Sequence, residues 1–144
     1  MVKKANKNDN EAIANLALLL WPNHNLKDLE QEFLEILDSK KVAIFLKYIG
    51  TEAVGFVYVS LRNDYVEGSS SSPVGYLEGI FIKKEFRKRG FAKELLEFCE
   101  KWAKKQGAKE FASDCELENQ KSLSFHKALD FSEANRIVCF IKKL

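Results

Sequence analysis

The sequence predicts an α/β fold in which a mixed β-sheet is covered by helices, and three observations lead there. Between Gly75 and Ser113 an apolar strand, a long amphipathic helix and a second apolar strand follow one another, the order of a crossover between parallel strands. Upstream, Val42 to Ile49 and Ala53 to Leu61 are rich in Val, Ile, Phe and Tyr and flank the break Gly50-Thr51-Glu52, which reads as an antiparallel hairpin. The chain has 144 residues, enough to bury one sheet between helices and too few for two independent cores, so residues 1–144 are expected to form one domain.

In chain order, a weak strand at Val2 to Ala5 comes first. Ile13, Leu16, Ala17 and Leu20 then fall at helical spacing, Asn8, Asp9 or Asn10 can serve as N-cap, and Pro22 ends the helix. After the polar break from Trp21 to Asn25, Leu26, Leu29, Phe33, Leu34 and Leu37 repeat the helical period up to Ser39 to Lys41. The hairpin follows. Gly68-Ser69-Ser70-Ser71-Ser72-Pro73 is low in complexity and reads as a flexible loop overhanging a site, since nothing beside it could form a separate core. Gly75 to Ile82 is an apolar strand interrupted by Gly79. The helix from Phe91 to Gln106 carries Phe91, Leu95, Leu96, Cys99, Trp102 and Ala103 on one face, has Lys104 and Lys105 where cations suit its dipole, and stops at Gly107. A strand at Lys109 to Ser113, a short helix at Glu118 to Leu129 and a final strand at Arg136 to Lys142 complete the chain.

Composition excludes several classes. No apolar run approaches the ~20 residues of a membrane span, and Met1 to Asn10 lacks the apolar core of a signal peptide, so the cytosol is the expected compartment and no membrane partner is expected. Cys99, Cys115 and Cys139 form no C-x-x-C pair and read as reduced, mostly buried thiols; with only His24 and His126 beside them, no metal is expected. A net charge of +2 is too small to imply nucleic acid.

Charge is concentrated locally. Arg87-Lys88-Arg89-Gly90-Phe91-Ala92 joins a strand to the start of the long helix, where backbone N–H groups and the helix dipole can hold a phosphate. Gly90 and Ala92 are small where a ligand would approach, and the three cations can add charge-assisted contacts. Taken alone, Lys83 to Arg89 is equally readable as a solvated basic loop. The R-x-x-G-x-A pattern between strand and helix resembles the acetyl-CoA-binding motif of GNAT N-acetyltransferases. A second element, Asn119-x-x-Ser122-x-x-Phe125-His126-x-x-Leu129-Asp130-Phe131, is similar to a further region of that family, and the match extends over essentially the whole chain.

The resemblance implies the GNAT fold: a central, mostly antiparallel sheet with a split between two parallel strands and helices on both faces. It implies acetyl-CoA as co-substrate, held by Ile80, Phe81, Ile82, Arg87, Lys88, Arg89, Gly90, Phe91, Ala92, Lys93 and Asn119, with the pantetheine arm along the split strand. Independently, Gly79 inside an apolar strand suggests a bulge or a close backbone approach. His126 stands where many members carry a tyrosine that protonates the departing thiolate, and Asp130 replaces the usual glycine.

An acceptor amine arrives as an ammonium with a pKa of about 10.4 in water, and only the neutral form attacks a thioester, so a carboxylate is wanted. Glu78 beside the expected bulge and Asp114 at the end of the next strand are the candidates; on their residues alone, Glu78 is also readable as an exposed strand residue and Asp114 as a turn cap. Leu20-Trp21-Pro22, Tyr65-Val66-Glu67-Gly68, the block from Ser72 to Ile80, and Phe111-Ala112-Ser113-Asp114 resemble the aminoglycoside 6'-N-acetyltransferase branch. That resemblance implies a polycationic aminoglycoside acceptor lined by Trp21, Tyr65, Glu78 and Asp114, with Asp114 as base, His126 as thiolate acid, and a homodimer. Asn135 stands where the branch has a further acid. Another amine, such as a polyamine, amino sugar or peptide, and a non-catalytic acetyl-CoA sensor are the competing readings.

Overall fold

The computed structural model describes all 144 residues. The elements are β1 (Val2–Lys4), α1 (Asn10–Leu20), α2 (Leu26–Ile36), β2 (Val42–Ile49), β3 (Glu52–Arg62), β4 (Val74–Ile82), α3 (Phe91–Lys105), β5 (Phe111–Ala112) and α4 (Gln120–Ala128), with short 3₁₀ turns at Lys7–Asp9 and Lys84–Phe86. The strands lie in chain order in one sheet, β1-β2-β3-β4-β5. The first three pairings are antiparallel; only β4 and β5, joined through α3, run parallel.

Helices cover both faces. Ile13, Ala14, Leu16 and Ala17 of α1 and Leu29 and Phe33 of α2 pack on Ile44, Leu46 and Phe56. On the other face Leu95, Leu96, Cys99, Trp102 and Ala103 of α3 meet Phe45, Val57, Val59, Leu77 and Ile82, and Phe125 of α4 and Leu129 just after it close the edge of that cluster. The period-2 alternation of β2 and β3 supplies one apolar set to each core.

The boundaries follow local chemistry. Asn25 caps α2 by accepting from the Lys27 and Asp28 amides, α1 ends at Leu20 ahead of Pro22, and Asn119 caps α4 by accepting from the Ser122 amide. Three expectations are corrected. The strand expected over Lys109 to Ser113 is only Phe111–Ala112, because the chain leaves β4 after two paired residues. The serine-rich loop is not loose: Glu110 Oε1 accepts from the Ser70 amide and the Ser71 hydroxyl, and Ser72 donates to the Asn63 carbonyl. No strand forms over Arg136 to Lys142; no residue beyond Phe131 makes a backbone–backbone hydrogen bond, and Phe140 and Ile141 are 91% and 97% exposed. An apolar strand needs a ladder partner and a covering layer, and one copy of the chain offers this segment neither. Of the cysteines, Cys99 is buried, which pushes its thiol pKa well up, whereas Cys115 is half-buried and Cys139 exposed.

Candidate active site

The bulge expected near Gly79 is present. Tyr58 pairs with Gly79 and the next pairing is Val59 with Leu77, so Glu78 is an extra residue with no partner on β3. Gly79 is required by a neighbour rather than by its backbone angles: a Cβ there would lie 2.9 Å from the Trp21 ring. That ring packs edge-on against Phe56, so the indole roofs the bulge.

β4 and β5 pair only at Gly75 with Phe111 and Tyr76 with Ala112. From Leu77 to Ile82 β4 has partners on its β3 side alone, Glu78 excepted, and the backbones of Ile80, Phe81 and Ile82 border the resulting gap. Ile80 and Ile82 pack toward α3 and Phe81 toward α1, so their side chains belong to the two cores.

At the far end of that gap lies the turn before α3. Gly90, with φ +78°, is the N-cap residue, and no side chain caps the helix, so its first-turn N–H groups remain available to a ligand. An added Cβ on Gly90 would meet nothing within 4 Å, which leaves room for a bound group. Lys88, Arg89 and Lys93 are exposed around the turn. Arg87 Nε donates to the Ile82 carbonyl at 2.8 Å and its guanidinium carbon lies 5.5 Å from the centre of the Phe81 ring, so it ties the turn to β4. Buried Lys47 fixes the helix start to β2 through Glu94 at 2.6 Å and the face of Phe91. Phe91 and Ala92 are half-buried at this start.

Both candidate acids belong to one cluster. On the face that carries α1 and α2, Glu78 accepts from Ser60 Oγ at 2.6 Å and from Arg62 through Nε and Nη2 at 2.9–3.0 Å. Arg62 Cζ lies 3.5 Å over the Tyr76 ring, and the Tyr76 hydroxyl donates to Asp114 Oδ2. Burial, then this bond to Asp114, raise the Tyr76 pKa, so it stays a protonated donor at any ordinary pH. The alternative of Asp114 as a turn cap is not realised. Sequence reasoning missed Ser60, Arg62 and Tyr76, because what joins them to the acids is cross-strand register: Ser60 pairs with Tyr76, and both lie one strand step from the bulge.

His126 faces the same edge. Its Nδ1 is 2.7 Å from the Ser122 carbonyl, which can only accept, so Nδ1 carries a proton; Nε2, 2.7 Å from Ser113 Oγ, accepts from that hydroxyl in the neutral ring. The Asn119 Oδ1 is engaged as a cap, and its Nδ2 is left to donate. Tyr65 and Asn135 are brought together by a residue not singled out in advance: Glu67 accepts from Tyr65 Oη at 3.2 Å and from Asn135 Nδ2 at 2.8 Å. Beside them a depression of about 520 Å³ is lined by Lys41, Leu61, Arg62, Asn63, Asp64 and Tyr65. Asp130 takes the left-handed conformation, φ 66°, that a glycine would take without strain. No three His, Cys, Asp or Glu residues cluster as metal ligands would.

The acetyltransferase (GNAT) family model matches residues 10–131. The chain belongs to this family. Among curated relatives of this GNAT protein is the aminoglycoside N(6')-acetyltransferase type 1 of Salmonella enteritidis, 39% identical over 99% of this chain and 98% of the relative. The protein of the same name from Acinetobacter baumannii is 41% identical over 90% of this chain and 88% of its own. Among solved structures, AAC(6')-Iy in complex with the bisubstrate analog CoA-S-monomethyl-acetylneamine superposes with a TM-score of 0.95 at 38% identity, covering 100% of this chain and 98% of the other.

Proposed function

We propose that this GNAT protein is an acetyl-CoA-dependent N-acetyltransferase that acetylates the 6'-amino group of aminoglycosides and so confers resistance to them. One observation carries the reading: Glu78 and Asp114, joined through Arg62 and Tyr76, stand where β4 and β5 part, in a chain whose relatives over nearly its whole length are named for that reaction.

Acetyl-CoA, as co-substrate, supplies the acetyl group as an activated thioester. Lys88, Arg89, Lys93 and the backbone N–H groups of Phe91 and Ala92 suit its pyrophosphate, and the Ile80 to Ile82 backbone and Asn119 Nδ2 suit the amide-bearing arm. On the acceptor side, Trp21, Tyr65 and Asn135 line the site; Asn135, in place of an acid, presents the Glu67 carboxylate. Glu78 binds an ammonium. Asp114 takes the proton of the attacking amine on Oδ1, the oxygen that Tyr76 leaves free. The amine nitrogen forms its bond to the acetyl carbon as the carbon–sulfur bond breaks, and the sulfur leaves as thiolate. His126 protonates it, and only the imidazolium can do so directly, because neutral His126 has no proton on Nε2.

The same reading takes residues 1–144 as one domain, working in the cytosol as a homodimer. No helix is long and apolar enough to cross a membrane. The dimer is supported by the exposed apolar tail after Asn135 and by the unpaired outer edge of β5, which a second copy can cover. Thiol release from acetyl-CoA, measured over aminoglycosides with and without a 6'-amine and over a panel of polyamines, amino sugars and peptides, is the test. Release confined to 6'-amine aminoglycosides is expected. Release only with another amine class, or with none, overturns the reading.

A further inference from the structure

Arg62 belongs to neither the acid nor the acetyl-CoA machinery, yet it makes the best-formed charged contact in the acceptor region. Two of its nitrogens reach Glu78, with Nη2 touching both carboxylate oxygens at 2.9 Å. Its guanidinium carbon also lies over the Tyr76 ring, 3.5 Å from the ring centre. The Arg62 and Glu78 side chains are 43% and 23% exposed, so the pair faces solvent on one side and can be entered from there. Arg62, though not Glu78 or Tyr76, also lines the depression beside Asp64 and Tyr65. A planar cation bonded to a carboxylate and stacked on an aromatic ring is the arrangement an acceptor's ammonium would itself take up. Ser60 Oγ also donates to Glu78 Oε1 at 2.6 Å, an anchor that stays in place when Arg62 moves away.

Resting on the acceptor reading above, we propose that Arg62 is an internal stand-in for the acceptor's ammonium: it occupies Glu78 and Tyr76 in the free protein, and a cationic acceptor must displace it. Arg62 is thereby a specificity-determining residue. It raises the affinity threshold for every amine, and acceptors with several ammonium groups, which draw on further acids such as Glu67 and Asp64, overcome it most readily. A purely positioning Arg62 would have the opposite sign, since its loss would loosen Glu78 and weaken acceptor binding.

The experiment compares wild type with Arg62→Met and Arg62→Lys, reading KM for an aminoglycoside with a 6'-amine and, by calorimetry without acetyl-CoA, its dissociation constant Kd. Arg62→Met should lower both about 3- to 10-fold, on the order of the 1.4 kcal/mol that a tenfold change represents. Arg62→Lys, which keeps the charge and loses the fork, should lower them less. In a Glu78→Gln background the Arg62→Met gain should vanish, the coupling expected of two groups in contact. A KM or Kd that rises or stays unchanged in a folded Arg62 variant overturns the proposal, as does a gain that persists without Glu78. Wild type that binds aminoglycosides without acetylating them would sink the catalytic reading and still leave the calorimetric test of Arg62 intact.

Discussion

Asp114 and Glu78 carry equal formal charge and stand in the same cluster, but their surroundings give them different work. Glu78 is saturated with cationic and hydroxyl donors, whereas Asp114 meets one neutral phenol and is exposed. Asp114→Asn keeps an oxygen for Tyr76 and removes the proton acceptor; kcat should fall about 10²- to 10⁴-fold at neutral pH and recover in part at high pH, where free amine is abundant. Glu78→Gln should chiefly raise KM for the acceptor. Steady-state kinetics across pH check both, and normal turnover of Asp114→Asn would remove it as base. Away from the site, burial opposes the charged form of Asp9, but Lys3 Nζ at 2.8 Å and the Asn6 amide at 2.9 Å outweigh it and hold the Asp9 pKa below the usual carboxylate value. A depressed folded pKa contributes stability that is present above the unfolded value and lost as pH falls through the folded one. Asp9→Asn should therefore lower stability at neutral pH and flatten its decline on acidification, as read by denaturant melts at several pH values. An unchanged acid limb would refute this.

Among the elements, the start of α3 is the most exacting. Gly90 sits at φ +78°, where an L-residue costs roughly 1–2 kcal/mol, so Gly90→Val should reduce stability through the backbone, since an added Cβ meets no protein atom within 4 Å. The folded variant should also lose acetyl-CoA affinity about tenfold or more through crowding at the turn; unchanged affinity by calorimetry would put the pyrophosphate elsewhere. This element was legible in the sequence because R-x-x-G-x-A lies between a strand and an amphipathic helix, a purely local pattern. The bulge was legible for the same reason, from Gly79 within an apolar run, although the ring that demands the glycine comes from Trp21, far away in sequence. Arg62 and Tyr76 were not legible, because their importance arises from cross-strand register, which composition does not encode. The tail was misjudged for a physical reason: Ile137, Val138, Phe140 and Ile141 have the propensity of a strand, and propensity cannot supply the neighbour that a strand requires.

At the scale of the molecule, that tail sets an expectation about assembly. Large apolar side chains exposed together after Asn135 are costly in water unless a second chain covers them. Sedimentation should give the mass of two chains for the full protein and of one for a chain ending at Asn135, with Glu67 retaining its bond to the Asn135 side chain. A monomeric full-length protein would exclude the dimer. The remaining consequence concerns β4. Before Glu78 the odd-numbered residues Gly75 and Leu77 face α3; after it the even-numbered Ile80 and Ile82 do. The single inserted residue changes the parity of the strand halfway along. Its two halves are out of phase, so the residues that face the same helix come from opposite parities on either side of Glu78. Deleting Glu78 would straighten the ladder and bring the two halves into phase with Leu77 still toward α3 and Gly79 still toward α1, so what the bulge adds to the strand is the one side chain that carries the carboxylate.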